Sequence, residues 1–221
     1  MNAQSDPLGT AQDLFQLNAA TAPTDLRNEG IREFDLSDTS TKGSPYLFSE
    51  LQSGTIAFIN SGTKKKYNFN IDLDNKVVLV KVGNELYQLN LSYIDSFGID
   101  GTTGVQNYNV LVNKKDEHEV YEVLVDGEYT LLKEHSVKYV KSNYNNVLNT
   151  GRKYDKYVAQ NDFYFFTNDR LNKLEKKEKK IKKAFKTYPV LSRSYKKLDF
   201  KLSNENEMIE FFNSVNSSLE L

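Results

Sequence analysis

"YNFNIDLDNKVVLVKVGNELYQL", residues 67–89, carries the pattern that sets the fold. Tyr67, Phe69, Ile71 and Leu73 alternate with Asn68, Asn70 and Asp72. A period of two over such a run marks a strand with one buried and one wet face. Asp74-Asn75 separates it from "KVVLVKV", and Gly83-Asn84 separates that from "ELYQLNLSYI". Both dipeptides tolerate positive φ, which two-residue hairpin turns require. With "GTIAFIN" upstream, residues 54–94 read as four antiparallel strands in a meander.

Moving toward the C-terminus, "FGIDGTTG" at residues 97–104 contains three glycines and predicts a loop. "VQNYNVLVN" is a strand, and the polar "KKDEHE" is a turn. In "VYEVLVDGEYTLLK", Asp126-Gly127 sits between two apolar runs and predicts a type I′ hairpin with positive φ at both residues. "SVKYVK" extends the sheet, and "SNYNNVLNTGRK" is a polar loop. "DKYVAQNDFYFF" predicts a further hairpin turning near residues 160–162.

"RLNKLEKKEKKIKKAFK", residues 170–186, has nine Lys or Arg among its residues. Its "LNKL" reads as a short strand paired with "FYFF" across residues 167–170. A helix then starts near Glu175, with Ile181, Ala184, Phe185 and Tyr188 on its apolar face at i, i+3, i+4 and i+7. Lys176, Lys179, Lys180 and Lys183 lie on the opposite side. Pro189 ends this helix and opens the next, "VLSRSYKKL". Asn204 and Glu207 fit a capping box, with Ser203 as an alternative cap. Met208, Phe211, Phe212, Val215 and Leu219 then form a stripe that needs a surface to bury it.

Residues 1–45 are polar and punctuated by Pro7, Pro23, Gly30, Gly43 and Pro45. They read as a leader or tail, with one or two helical turns in "TAQDLFQL" capped by Thr10. The expected organisation is this leader, a β body over residues 46–174, and a helical segment over 175–221 packing on the sheet. The fold class is α+β: a strongly bent antiparallel sheet of about seven to nine strands, with a partly open barrel as the alternative, and C-terminal helices.

The 27 Tyr and Phe residues, 14 and 13, favour a sheet. Net charge is −1 but unevenly placed. Residues 1–150 hold 13 basic and 20 acidic side chains, and residues 151–221 hold 16 and 10. The absence of cysteine excludes disulfides, thiolate nucleophiles and Cys-ligated zinc. No apolar run approaches the ~18–20 residues of a membrane helix.

Three phrases occur together: "GSPYLFSELQSGTI" at 43–56, "YEVLVDGEYTLLKE" at 121–134, and an aromatic strand followed by a lysine-rich helix and a terminal "MIEFFNSV" helix. Together they resemble a group of uncharacterised exported proteins of Bacteroidota, over roughly residues 43–216. The resemblance implies export and a strands-then-helices order, and carries no catalytic residue. "MNAQ" at the start resembles the remnant of a removed signal peptide, which points to the periplasm or cell surface.

No chemistry-bearing motif emerges. His118, with Asp116, Glu117, Glu119 and Glu122, fits a solvated acidic turn better than a cation site, and His135 fits a surface or strand-end position. Asp72, Asp74 and Asn75 fit a turn rather than a calcium loop. No catalytic, cofactor or metal residue is assigned, and no cofactor is expected. The lysine face, Lys176, Lys179, Lys180 and Lys183, is the candidate polyanion-binding site. Phe185 and Tyr188 fall on the buried face, so the aromatics a single-strand binder exposes are missing, which argues against nucleic acid. The leading expectation is a non-enzymatic cell-envelope module that binds an envelope protein or acidic polymer. The alternatives are a carrier holding an apolar ligand among Phe58, Phe69, Leu79 or Tyr87, a nucleic-acid or polyanion binder using the basic helix, and an enzyme using paired carboxylates.

Overall fold

The computed structural model describes residues 41–59, 62–102, 104–112, 117–198 and 201–219. The expected leader, with its helical turns near Thr10, lies outside them except for residues 41–45. Residues 114–116 of the "KKDEHE" turn, Asp116 among them, lie outside them too.

The fold is α+β: an 11-stranded mixed sheet that does not close, with three C-terminal helices. The strands are β1 (Thr41–Lys42), β2 (Gln52–Phe58), β3 (Lys64–Asp72), β4 (Val77–Val82), β5 (Glu85–Asn90), β6 (Ile94–Gly101), β7 (Gly104–Val112), β8 (His118–Val125), β9 (Thr130–Val140), β10 (Asp155–Thr167) and β11 (Arg170–Leu174). The helices are α1 (Glu178–Phe185), α2 (Pro189–Lys196) and α3 (Glu205–Ser217). Strand order is β1-β10-β9-β8-β7-β6-β2-β3-β4-β5, with β11 also paired to β10. The sheet is mixed because β1 runs parallel to the start of β10.

The chain groups into two compact units. One holds the chain through Val120 with Ser136–Gln160, and the other holds Tyr121–His135 with the chain from Asn161. Strands β8, β9 and β10 begin in one unit and end in the other.

In the first unit, β2 to β5 form the expected meander, each strand antiparallel to the next. Tyr67, Phe69 and Ile71 bury completely beside Val78, Val80 and Leu89. Phe97 anchors the cluster, edge-on to Phe69 at 5.5 Å and stacked on Tyr108 at 4.7 Å.

Two details of the meander differ from the expected turn chemistry. Between β4 and β5, Gly83-Asn84 is a two-residue turn with positive φ at Gly83 only, which is the type II′ pattern. Between β3 and β4 the connection has four residues, Leu73 to Lys76, and the positive φ falls on Lys76. Asp72 closes it: Oδ1 accepts from the Asp74 and Asn75 N–H groups, and Oδ2 accepts from Asn75 Nδ2. The carboxylate imposes the turn, so Asp74-Asn75 need not adopt φ > 0.

The nominally wet face of β3 is exposed at Asn68 but buried at its C-terminal end. Asn70 is 6% exposed and Asp72 2%. The segment 44–50 covers them: Leu47 N–H bonds Ile71 O, and Leu73 N–H bonds Pro45 O. Asn70 is the tie, accepting from Phe48 N–H and donating to the carbonyls of Phe48 and Glu50. Asn70→Ala should cost about 1 kcal/mol, the usual net value of hydrogen bonds lost from backbone groups that water can still reach. Amide hydrogen exchange at Leu47 and Phe48 checks this. Unchanged protection there would show that the two backbone bonds hold the segment without Asn70.

Residues 97–101 are strand, not loop, and this is a correction. β6 pairs with β2 on one side and β7 on the other, with Gly101 opposite Gly104. The glycines mark close backbone approach rather than a turn. A Cβ on Gly54 would sit 2.1 Å from Gly98 O, and one on Gly98 would sit 2.7 Å from a Val105 methyl. Nor does the chain turn at residues 160–162, since β10 runs unbroken for 13 residues. Its polar stretch, Ala159 to Asp162, is simply exposed.

In the second unit, β10 and β11 form the hairpin expected across residues 167–170. Asn168 and Asp169 both have positive φ, at 49° and 56°, so the type I′ geometry expected at Asp126-Gly127 sits here instead. Helix α1 begins at Glu178, three residues later than expected. Pro189 occupies the first turn of α2. The capping box of α3 is complete: Glu207 N–H bonds Asn204 Oδ1, and Glu207 Oε2 accepts from Asn204 N–H. Ser203 gives its N–H and hydroxyl to the same carboxylate, which holds Glu207 below the usual carboxylate range.

The core of this unit joins Phe163, Phe165, Leu131 and Leu174 from the strands to Ile181, Phe185, Leu191, Met208, Phe211, Phe212 and Val215 from the helices. The α3 stripe therefore packs against sheet residues and the other helices. Its expected last member, Leu219, lies beyond the helix and is 43% exposed.

Candidate functional site

The lysine face comes from how α1 is anchored. Ile181 and Phe185 are buried, and Ala184 and Tyr188 pack against the same cluster, so the opposite side of this short helix faces out. Lys176, Lys177, Lys179, Lys180, Lys182, Lys183 and Lys186 are all exposed. Of the four predicted site residues, Lys179, Lys180 and Lys183 ride on α1. Lys176 precedes the helix, its ammonium 5.3 Å from the centre of the Phe163 ring. Lys180 pairs with Glu175 at 3.2 Å, and Lys182 with Glu178 at 2.5 Å. The Lys182 bond holds the Glu178 carboxyl below its ordinary range and raises the Lys182 ammonium. Lys177, Lys179, Lys183 and Lys186 make no ion pair among the described residues. The face thus presents a strip of solvated cations on a rigid support, suited to repeated anionic groups.

A second polar group was not legible as a unit in the sequence. On β9, Lys133 and His135 stand two residues apart and share one face. His135 Nε2 lies 2.7 Å from Glu122 Oε2 on β8, and both side chains are largely buried. Lys133 Nζ lies 3.7 Å from the same Glu122 oxygen and 2.9 Å from Glu205 in the first turn of α3. His135 is therefore not the surface or strand-end residue expected. Counting outward from a two-residue Asp126-Gly127 turn sets Glu122 opposite Leu131, so the sequence placed neither Lys133 nor His135 across from it. The pairing with α3 had no sequence signal. Between Lys133 and His135 in the chain, Glu134 accepts a bond from Tyr164 on β10, whose phenol is pushed well up, first by burial and then by that bond. The arrangement alternates acid and base, so each charge is answered inside the group. That is the chemistry of a clamp between β8, β9 and the start of α3.

The remaining predicted positions are placed as follows. Glu119 is buried and pairs with Lys76 at 2.5 Å. The Asp72 oxygens are engaged in the turn after β3. Among the described residues, no three His, Asp or Glu side chains gather into a metal-binding group. Of the expected carrier lining, Phe69 packs edge-on against Phe97, and Phe58 edge-on against Tyr67. Leu79 is buried, and Tyr87 directs its hydroxyl to Glu85. Among the described residues, no helix is long and apolar enough to cross a membrane.

Comparison with known proteins found no matching family model, no matching curated protein and no matching solved structure.

Proposed function

We propose that this chain is a non-enzymatic interaction module of the cell envelope, and that it binds an acidic macromolecule through the lysine face of α1. The observation that carries the reading is the set of exposed, unpaired ammonium groups on a helix whose other side is fixed by Ile181 and Phe185. The envelope part of the proposal rests on the resemblance of residues 43–216 to exported proteins. What supports a binding role over a catalytic one is that the buried carboxylates Glu119 and Glu122 are each engaged by a cation or imidazole.

Replacing Lys176, Lys179, Lys180 and Lys183 together by Gln tests it. The melting temperature should stay nearly unchanged, because exposed charges away from special features contribute little to stability. Retention on a polyanionic resin should fall, and retention of the parent should drop steeply as salt rises. Equal retention of parent and variant would remove the lysine face from the site. Salt-resistant, sequence-selective binding of nucleic acid by the parent would replace the acidic-polymer reading with the nucleic-acid one.

A further inference from the structure

Residues 141–154, between β9 and β10, form a loop that is tightly built yet ends in bare apolar side chains. Arg152 is its keystone. Its guanidinium donates to the carbonyls of Val140, Lys141 and Tyr154, and its own carbonyl accepts from Asn143 N–H and Ser142 Oγ. Asn145 bridges to Thr150, and its side-chain oxygen accepts the N–H groups of Val147 and Leu148. At the tip, Val147 is 92% exposed and Leu148 67%. Such an organised loop holds two large apolar side chains in water, at a cost that folding alone does not explain.

The surroundings of the tip indicate what meets it. Residues 141–154 contain Lys141, Arg152 and Lys153 and no Asp or Glu. Lys141 and Lys153 are exposed, and Lys153 Nζ lies 4.7 Å from the centre of the Tyr144 ring. Tyr154 is also exposed, with Lys42 Nζ 4.1 Å from its ring centre. An apolar point, tyrosines behind it and a collar of cations match, in order, the acyl boundary, the headgroup layer and the anionic surface of a bilayer. Two side chains are too little for a stable protein interface, which needs roughly 800 Å² from each partner.

We propose that the 141–154 loop docks the protein on an anionic lipid surface, with Val147 and Leu148 entering the acyl boundary and Lys141 and Lys153 meeting headgroup phosphates. Attachment through one such loop is weak and reversible. The proposal stands on residues other than the α1 lysines, so either can fail alone.

Vesicle sedimentation of the full chain tests it, using phosphatidylcholine alone and phosphatidylcholine mixed with an equal amount of phosphatidylglycerol. The parent should sediment with the mixed vesicles, and less so as salt rises. Val147→Ser with Leu148→Ser should lower the partition coefficient roughly tenfold. Lys141→Gln and Lys153→Gln should each lower it about fivefold. All four positions are exposed, so thermal melts should match the parent. The chain contains no Trp, so Leu148→Trp places a single reporter at the tip, and its emission should shift to the blue on mixed vesicles. An unmoved emission, or equal sedimentation of parent and tip variant, would overturn the proposal. Loss of binding on replacing Lys176, Lys179, Lys180 and Lys183, with none at the tip, would transfer lipid attachment to α1. A loop that ignores vesicles but is needed to retain an envelope protein would overturn the lipid assignment.

Discussion

Phe185→Ala should destabilise the protein by about 3–5 kcal/mol, the usual cost of truncating a fully buried Phe. Phe185 is 0% exposed and meets four rings: Phe165, Tyr195, Phe211 and Phe212, with centroids 5.5 to 6.3 Å away. These come from β10, α2 and α3, so one truncation opens a void that all three would have to fill. The rings differ in orientation, stacked on Phe211 and edge-on to Phe165, which limits how far they can close the gap. A denaturant titration reads the loss as a lower midpoint. The same helix provides the contrast: one apolar substitution should strongly destabilise a fold that four lysine replacements leave nearly unchanged. An unchanged midpoint for Phe185→Ala would mean that α1 is not anchored through this face, and the lysine face would lose its rigid support.

Gly127→Ala should cost about 3 kcal/mol, and Gly127→Asn should not recover it. Gly127 has φ +144°, a region that side chains other than glycine enter only with strain, of order 1–3 kcal/mol. Space is a second obstacle. A Cβ there would sit 2.5 Å from Asn216 Nδ2 and 2.6 Å from Asn216 Cγ. Asn216 cannot simply yield, because its side chain accepts from Tyr129 N–H and donates to the carbonyls of Tyr129 and Asp126. Displacing it strands buried backbone groups, at about 1–3 kcal/mol more. Combining Gly127→Ala with Asn216→Ala should therefore cost less than the sum of the single losses, because the clash disappears with the Asn side chain. Strict additivity in denaturant titrations would show that the penalty is backbone strain alone. Recovery by Asn would restore the type I′ turn that Asp-Gly suggests.

Legibility followed the range of the interaction. The β3 alternation, the Gly83-Asn84 turn position, the pairing of β10 with β11, the Pro189 boundary and the Asn204–Glu207 capping box each depend on residues within a few positions of one another. All were readable. The lysine face was readable for the same reason: helical spacing fixes which side Ile181 and Phe185 take, and the lysines occupy the rest. The misread stretches are those where a distant segment outweighed local chemistry. Gly98 looks like a loop residue until β2 and β7 lie against it. Asn70 and Asp72 look wet until residues 44–50 cover them. Gln160 to Asp162 look like a turn, yet the strand continues through them.

The sequence alone therefore determined an α+β chain with a central meander, a basic helix face and a capped terminal helix. Periodicity and capping are properties of neighbouring residues, and neighbours are what a sequence records. Only the tertiary structure decided that β6 inserts beside β2, that Asn216 fills the Asp126-Gly127 turn, and that Glu122, Lys133, His135 and Glu205 form one charged group. It also decided that Val147 and Leu148 stand bare at the end of an ordered loop. Each depends on groups brought together, or kept apart, across many residues of chain, and that outcome is set by the packing of the whole.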